Sequence, residues 1–184
     1  MKGLFTISLD FELHWGGFEK WHLETQDSRL KTQDSGLTNY NHYFLNTREV
    51  IPSMLALFKK YDVHVTWATV GMLLHESKAA LLQNAPSLKP SYQVSNLSAY
   101  HYIDTIGIGE DEENDPFHFA PSLVKQILLV PHQELGTHTF AHYYCNEAGQ
   151  TVEQFKEDLR AAQRVAKTFG QTIRSLVFPR NQFN

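Results

Sequence analysis

Hydrophobic and polar positions alternate along this chain with two different periods. In "LFTISLDFELHWG" (residues 4–16), Leu9, Phe11 and Leu13 trade places with Asp10, Glu12 and His14, a period of two that predicts a strand over residues 3–13. Residues 14–45 are polar and irregular and contain a tandem echo, "TQDSRLK" then "TQDSGLT", read as a locally duplicated loop. The period then becomes helical. Asn46 and Glu49 resemble a capping box, and Val50, Ile51, Met54, Leu57, Phe58 and Tyr61 follow at helical spacing up to "KKYD". "VHVTWATV" (63–70) is a second strand, rich in β-branched residues, and "GMLLHESKAALLQN" reads as helix.

Residues 86–120 form an insertion with Pro, Ser and Tyr and the acidic run "GEDEEND", too long for a plain connector and in keeping with a binding loop or lid. "PSLVKQILLV" is a helix opened by Pro121, and "QELGTHT" a short strand. The strongest helical pattern is "TVEQFKEDLRAAQRVAKTFG". Thr151 and Gln154 form a capping box, Val152, Phe155, Leu159, Ala162, Ala166 and Phe169 make one stripe, and Gly170 terminates it. "TIRSLVF" is the closing strand.

Strand and helix in alternation predict βαβ units and a mostly parallel sheet or barrel, whose site lies at the carboxyl ends of the strands. Asp10, Glu12 and His14 stand at one such end, His138 and His142 follow "QELGT", and Arg180 follows "RSLVF". A merely solvated face does not explain why separate strand ends all carry polar groups.

Composition narrows the partners. With 42% hydrophobic and 20% charged residues the chain is an ordinary globular one, expected to be a single domain over 1–184. A net charge of −4 and the absence of a basic run argue against a nucleic-acid footprint. Cys145 is the sole cysteine, so no internal disulfide is expected, and it reads as a small buried apolar residue. No secretory signal pattern and no run of about 18 apolar residues occur, so the expectation is a cytoplasmic protein that does not span a membrane.

The candidate chemistry is a metal centre. In "HTFAH", His138 and His142 are four apart, and on one helical turn that spacing lets two imidazoles grip one ion. The pair alone is weak evidence in a chain with ten histidines. A catalytic zinc site takes three protein ligands, often two His and one acid, with a position left open for water. Asp10 or Glu12 can complete that set, and the other acid can serve as base for the water. Two acids at i, i+2 on a strand face one side, an unfavourable pairing that a divalent cation relieves.

These motifs resemble the polysaccharide deacetylase family of NodB-homology carbohydrate esterases. That family opens on a strand ending in paired acids, often T-F-D-D, standing here as "SLDFE". Its H-S/T-x-x-H motif stands here as "HTFAH", and its arginine beside proline after a strand as "FPRNQ". The resemblance implies a distorted (β/α) barrel and a metal-dependent hydrolase, with Zn2+ as the first candidate ion, removing acetyl groups from a carbohydrate. It implies Asp10 as general base, Glu12, His138 and His142 as metal ligands, and Arg180 as the residue that holds the base. Glu12 is one carbon longer and one position later than the family's usual acid, so its role and that of Asp10 are open to exchange. The family's later motifs, including a histidine general acid, have no counterpart before Asn184, which implies a domain lacking its C-terminal part; His14 is the nearest alternative acid. Trp15, Trp21, Tyr40 and Tyr43 are candidates for stacking on sugar rings. The rival readings are a hydrolase of non-sugar amides, a silent carbohydrate-binding module and a purely structural domain. The acids of "GEDEEND" fit no calcium loop and read as solvated.

Overall fold

The computed structural model describes residues 3, 5–23 and 40–183. The tandem echo at 25–38 lies outside the described residues. Three strands, β1 (Ser8–Phe11), β2 (Val65–Thr69) and β3 (Gln133–Thr137), form a parallel sheet in the order β1-β2-β3. Phe11 pairs with Thr69 and Thr69 with Thr137, so the three strands finish at one level. Glu12, Val70 and His138 therefore leave the sheet side by side.

β1 is shorter than the alternation predicts. Leu13 takes a left-handed φ of 43°, and Leu13–Gly16 wrap into a 3-10 turn that ends the ladder. The closing strand also contracts. Residues 172–178 meet β3 at one parallel bridge, Thr137 to Leu176, with Thr137 N–H donating to Ser175 O and Val177 N–H donating to Thr137 O. Gly136 allows this approach, because a Cβ there would lie 2.8 Å from Thr66 Cγ2 and 3.3 Å from Ser175 O. Among the described residues the sheet is open, and the expected barrel is not closed.

Helix α1 spans Asn41–Tyr61, one turn and more ahead of the expected start, and its N-cap Tyr40 makes no side-chain cap. Phe44 extends it backward, since Phe44, Ile51 and Leu55 are its buried residues and Asn46 lies inside it. Val50, Leu57 and Tyr61, which belong to the helical spacing, are exposed. "GMLLHESKAALLQN" splits into a 3-10 turn, Gly71–Leu74, and α2, Lys78–Asn84, capped by Ser77 Oγ. The 86–120 insertion is largely ordered packing: it carries α3 (Ala99–Thr105) and buries Tyr100, Ile103, Asp115, His118 and Phe119. Among its acids, Asp111 is engaged by Asn114 within the insertion, and Glu112 by Arg48 of α1 and by Ser122 just beyond the insertion. Helix α4 (Pro121–Leu128) starts on its proline as predicted.

Helix α5 (Val152–Thr168) has the predicted Thr151–Gln154 capping box, and Gly170 beyond it takes φ 69°. Its buried face is rotated from the apolar stripe: Gln154, Asp158, Ala161, Ala162, Val165 and Ala166 point inward while Val152 is exposed. Among the described residues no helix is long and apolar enough to cross a membrane.

Candidate metal centre and active site

The carboxyl ends of the strands bring Glu12, His138 and His142 together. Glu12 Oε2 lies 3.3 Å from His138 Nε2 and 3.1 Å from His142 Nε2, and both imidazoles are buried. Ligand atoms about 2.0–2.1 Å from one tetrahedral ion stand about 3.3 Å apart, so the spacing fits a zinc-sized cation. The hydrogen bonds on the far side of the rings agree. His138 Nδ1 is 2.9 Å from Val177 O, which can only accept, so Nδ1 carries the proton. The neutral ring then turns the lone pair of Nε2 toward a carboxylate oxygen, and a cation, or a second proton on the ring, must lie between them. His142 Nδ1 is 3.0 Å from the Tyr144 hydroxyl, which can accept its proton in the same way. Burial raises the Glu12 pKa, but the hydrogen bonds and charge of the two histidines outweigh it and hold the group at about 2. Burial lowers the pKa of His142, with Glu12 opposing it.

"HTFAH" is not the helical turn that the i, i+4 spacing suggested. It is a loop with left-handed φ at Thr139 (65°) and His142 (51°), so the rings converge through backbone turns. Thr139 Oγ1 accepts from Tyr143 N–H at 2.7 Å, closing the turn. Asp158 of α5, fully buried, accepts from Phe140 N–H at 2.6 Å and from Ala141 N–H at 3.1 Å. Its pKa is pushed up to about 7 by burial, against the pull of those two amides. Sequence reasoning missed Asp158 by counting only apolar positions; its signal is that Gln154, Asp158, Ala161 and Val165 share one helix face. Gly16 is a second missed residue. A Cβ at that position would overlap the Glu12 carboxyl, so the fold of Glu12 over the turn requires glycine there.

Asp10 is half exposed, and its Oδ1 is 3.9 Å from His138 Nδ1. It borders the cluster without joining it. Arg180, expected on Asp10, instead pairs with Glu19, and its Cζ lies 4.6 Å from the Tyr144 ring centroid. The left-handed φ of 52° at Arg180, directly after Pro179, accompanies this placement. Glu19, not singled out from sequence, keeps only 7% of its side chain exposed and has this arginine as its ion-pair partner.

His14 and Trp15 do not face the rim. His14 is fully buried, its Nδ1 2.8 Å from His118 Nε2 and its Nε2 2.5 Å from Trp21 O. Asp115 completes the chain, 2.8 Å from His118 Nδ1. Burial, with the charge of His118 adding to it, lowers the His14 pKa to about 4. Trp15 is fully buried and donates from Nε1 to His118 O at 2.9 Å. This burial removes both from the substrate side, His14 as the alternative acid or a substrate contact and Trp15 as a stacking ring: an alternating pattern continued past Leu13 does not survive the left-handed turn there. Trp21 and Tyr43 are exposed and form, with Tyr40, a chain of rings 6.1 Å apart. A cavity of about 580 Å3 lies against the insertion, lined by Glu19, His101, Tyr102 and His118, but Asp10, Glu12, His138 and His142 do not line it.

Comparison with known proteins gives one result of family rank. The family model described as polysaccharide deacetylase matches residues 32–184, a span that includes His138, His142 and Arg180 and begins after Asp10 and Glu12. No curated protein and no solved structure matches the chain. With most of its length matched, and an acid and two histidines converging at the strand ends, the chain belongs to the polysaccharide deacetylase family.

Proposed function

We propose that this chain is a metal-dependent hydrolase that removes acetyl groups from the nitrogen of a carbohydrate. The observation that carries the reading is the approach of Glu12 Oε2 to two imidazole Nε2 atoms at 3.3 and 3.1 Å, with the opposite nitrogen of His138 fixed by Val177 O. Glu12, His138 and His142 would hold the ion. Two nitrogens and one oxygen favour Zn2+ over harder cations. When bound, the ion supplies Lewis-acid polarisation of the acyl oxygen and lowers the pKa of water.

Asp10 is the proposed base. Its half-exposed carboxylate beside His138 is open to water and to a substrate edge. It takes one proton from the attacking water as oxygen bonds to the acyl carbon. The tetrahedral adduct collapses, the C–N bond breaks, and Asp10 returns the proton to the leaving nitrogen, giving a free amine and acetic acid, which releases its proton to become acetate. This assigns both proton transfers to one carboxyl and leaves His14 out, in keeping with its burial. Arg180 is proposed to act through Tyr144, whose ring it covers and whose hydroxyl meets His142. In this reading Arg180 is a positioning residue.

The strand order supports the proposed barrel. All neighbours are parallel and consecutive, and residues 172–178 add on the outer side of β3, the singly wound order of a (β/α) barrel, without the reversal of a doubly wound sheet. A carbohydrate-binding module without an ion is less well supported, because Trp15, one of its aromatics, is buried.

The test measures metal content and acetate release from N-acetylglucosamine oligomers. Asp10→Asn should keep the metal and lose turnover; His138→Ala should lose the metal. Full activity of Asp10→Asn would remove the base assignment, and wild-type release of acetate only from non-sugar amides would replace the substrate class.

A further inference from the structure

A second cluster of ligand-bearing side chains stands at the other end of the sheet. Asp62 closes α1 with a left-handed φ of 54°, His64 directly precedes β2, and His132, also left-handed at φ 62°, directly precedes β3. Two turns far apart in sequence thus deliver one carboxylate and two imidazoles to the amino ends of adjacent strands. Asp62 Oδ1 lies 3.6 Å from His64 Nε2 and 3.6 Å from His132 Nε2. The rings stack at 4.0 Å with 14° between their planes. One ligand atom from each residue falls within 4.8 Å of the others.

We propose that Asp62, His64 and His132 form a second, surface metal site that takes a borderline divalent cation such as Zn2+ or Ni2+. The donor set selects the ion: two imidazoles and a carboxylate suit zinc and nickel, whereas calcium and magnesium require oxygen donors. The 3.6 Å separations are a few tenths of an ångström wider than the spacing of about 3.3 Å around a tetrahedral zinc. Binding requires the two nearly parallel rings to turn out of their stack so that both lone pairs meet at one point, and the exposure of all three side chains leaves room for it. The same exposure lets water fill the remaining positions. Bound there, the ion would pin the turn between α1 and β2 to the turn before β3, at the end of the sheet away from Glu12. The inference does not depend on the deacetylase reading.

The experiment is equilibrium dialysis of tag-free protein against Zn2+ and against Ni2+, with bound metal counted by elemental analysis. The variants are His64→Ala/His132→Ala and Glu12→Gln. The expected result is that the double variant binds one equivalent fewer than wild type, keeps its circular-dichroism spectrum and releases acetate at the wild-type rate. Glu12→Gln should retain the equivalent that the double variant loses. If the double variant binds as much metal as wild type, the surface site does not exist. Should the equivalent lost by the double variant be the only one that wild type binds, the surface site stands and the Glu12 centre falls.

Discussion

His138 donates its Nδ1 proton to the carbonyl of Val177 at 2.9 Å, and that bond fixes which edge of the ring is left to face Glu12. Val177 occupies its position through the bridge between residues 172–178 and β3, where its own N–H reaches Thr137 O. The last paired segment of the chain thus orients a side chain that emerges from β3.

The equivalent support for His142 is the Tyr144 hydroxyl, at 3.0 Å from Nδ1. Tyr144→Phe removes it while leaving the ring beneath Arg180. Outer hydrogen bonds of this kind are worth roughly 10–100-fold in metal affinity or activity. A loss in that range is expected by competitive chelator titration, beside a cost of about 1–3 kcal/mol to the metal-free fold for leaving the buried His142 Nδ1–H without a partner.

Gly16→Ala places a methyl group where the Glu12 carboxyl lies. The expected outcome is a folded protein whose metal affinity falls as steeply as in Glu12→Gln. Chelator titration of the two variants side by side checks it; wild-type binding by Gly16→Ala would show that Glu12 reaches the histidines from another conformation.

Asp158 predicts a pH dependence of stability. Its folded pKa, about 7, is raised above the ordinary carboxylate value, so between about 4 and 7 the folded chain holds a proton that the unfolded chain has released. Stability from this group is fully present below about 4 and declines as pH rises to about 7, by up to roughly 1.4 kcal/mol per unit. Asp158→Asn removes the titration. Denaturant unfolding across this range should show the advantage of wild type over the variant shrinking with rising pH. A difference independent of pH would contradict the assignment.

Trp15→Phe tests the corrected role of that residue. Loss of buried volume and of the hydrogen bond to His118 O should cost about 1–3 kcal/mol in unfolding free energy. The KM for an N-acetylated oligosaccharide should not change. A raised KM with unchanged stability would return Trp15 to the substrate.

The legible parts of this protein are those in which local chemistry acts alone. The Thr151–Gln154 capping box, the proline start of α4, the β-branched β2 and the Gly170 stop each depend on neighbours within a few residues, and all are present. The start of α1 differs from the expected one because Asn46 carries a capping signature that the burial of Phe44 overrides. The buried face of α5 differs from its apolar stripe because the helix turns two polar side chains, Gln154 and Asp158, inward to bind loop amides.

For the site the division is similar. Residue types and order are enough to nominate His138, His142 and one of the two acids, Asp10 or Glu12, because these groups stand at predicted strand ends, and the family resemblance is what points to Glu12. Only the tertiary structure decided that parallel register brings residues 12 and 138 to one level, that "HTFAH" converges through left-handed turns, that Arg180 pairs with Glu19, and that His14 and Trp15 point into the core. The reason is physical: propensity and periodicity act over a few residues, whereas the direction in which a side chain leaves a turn is set by contacts with segments a hundred positions away.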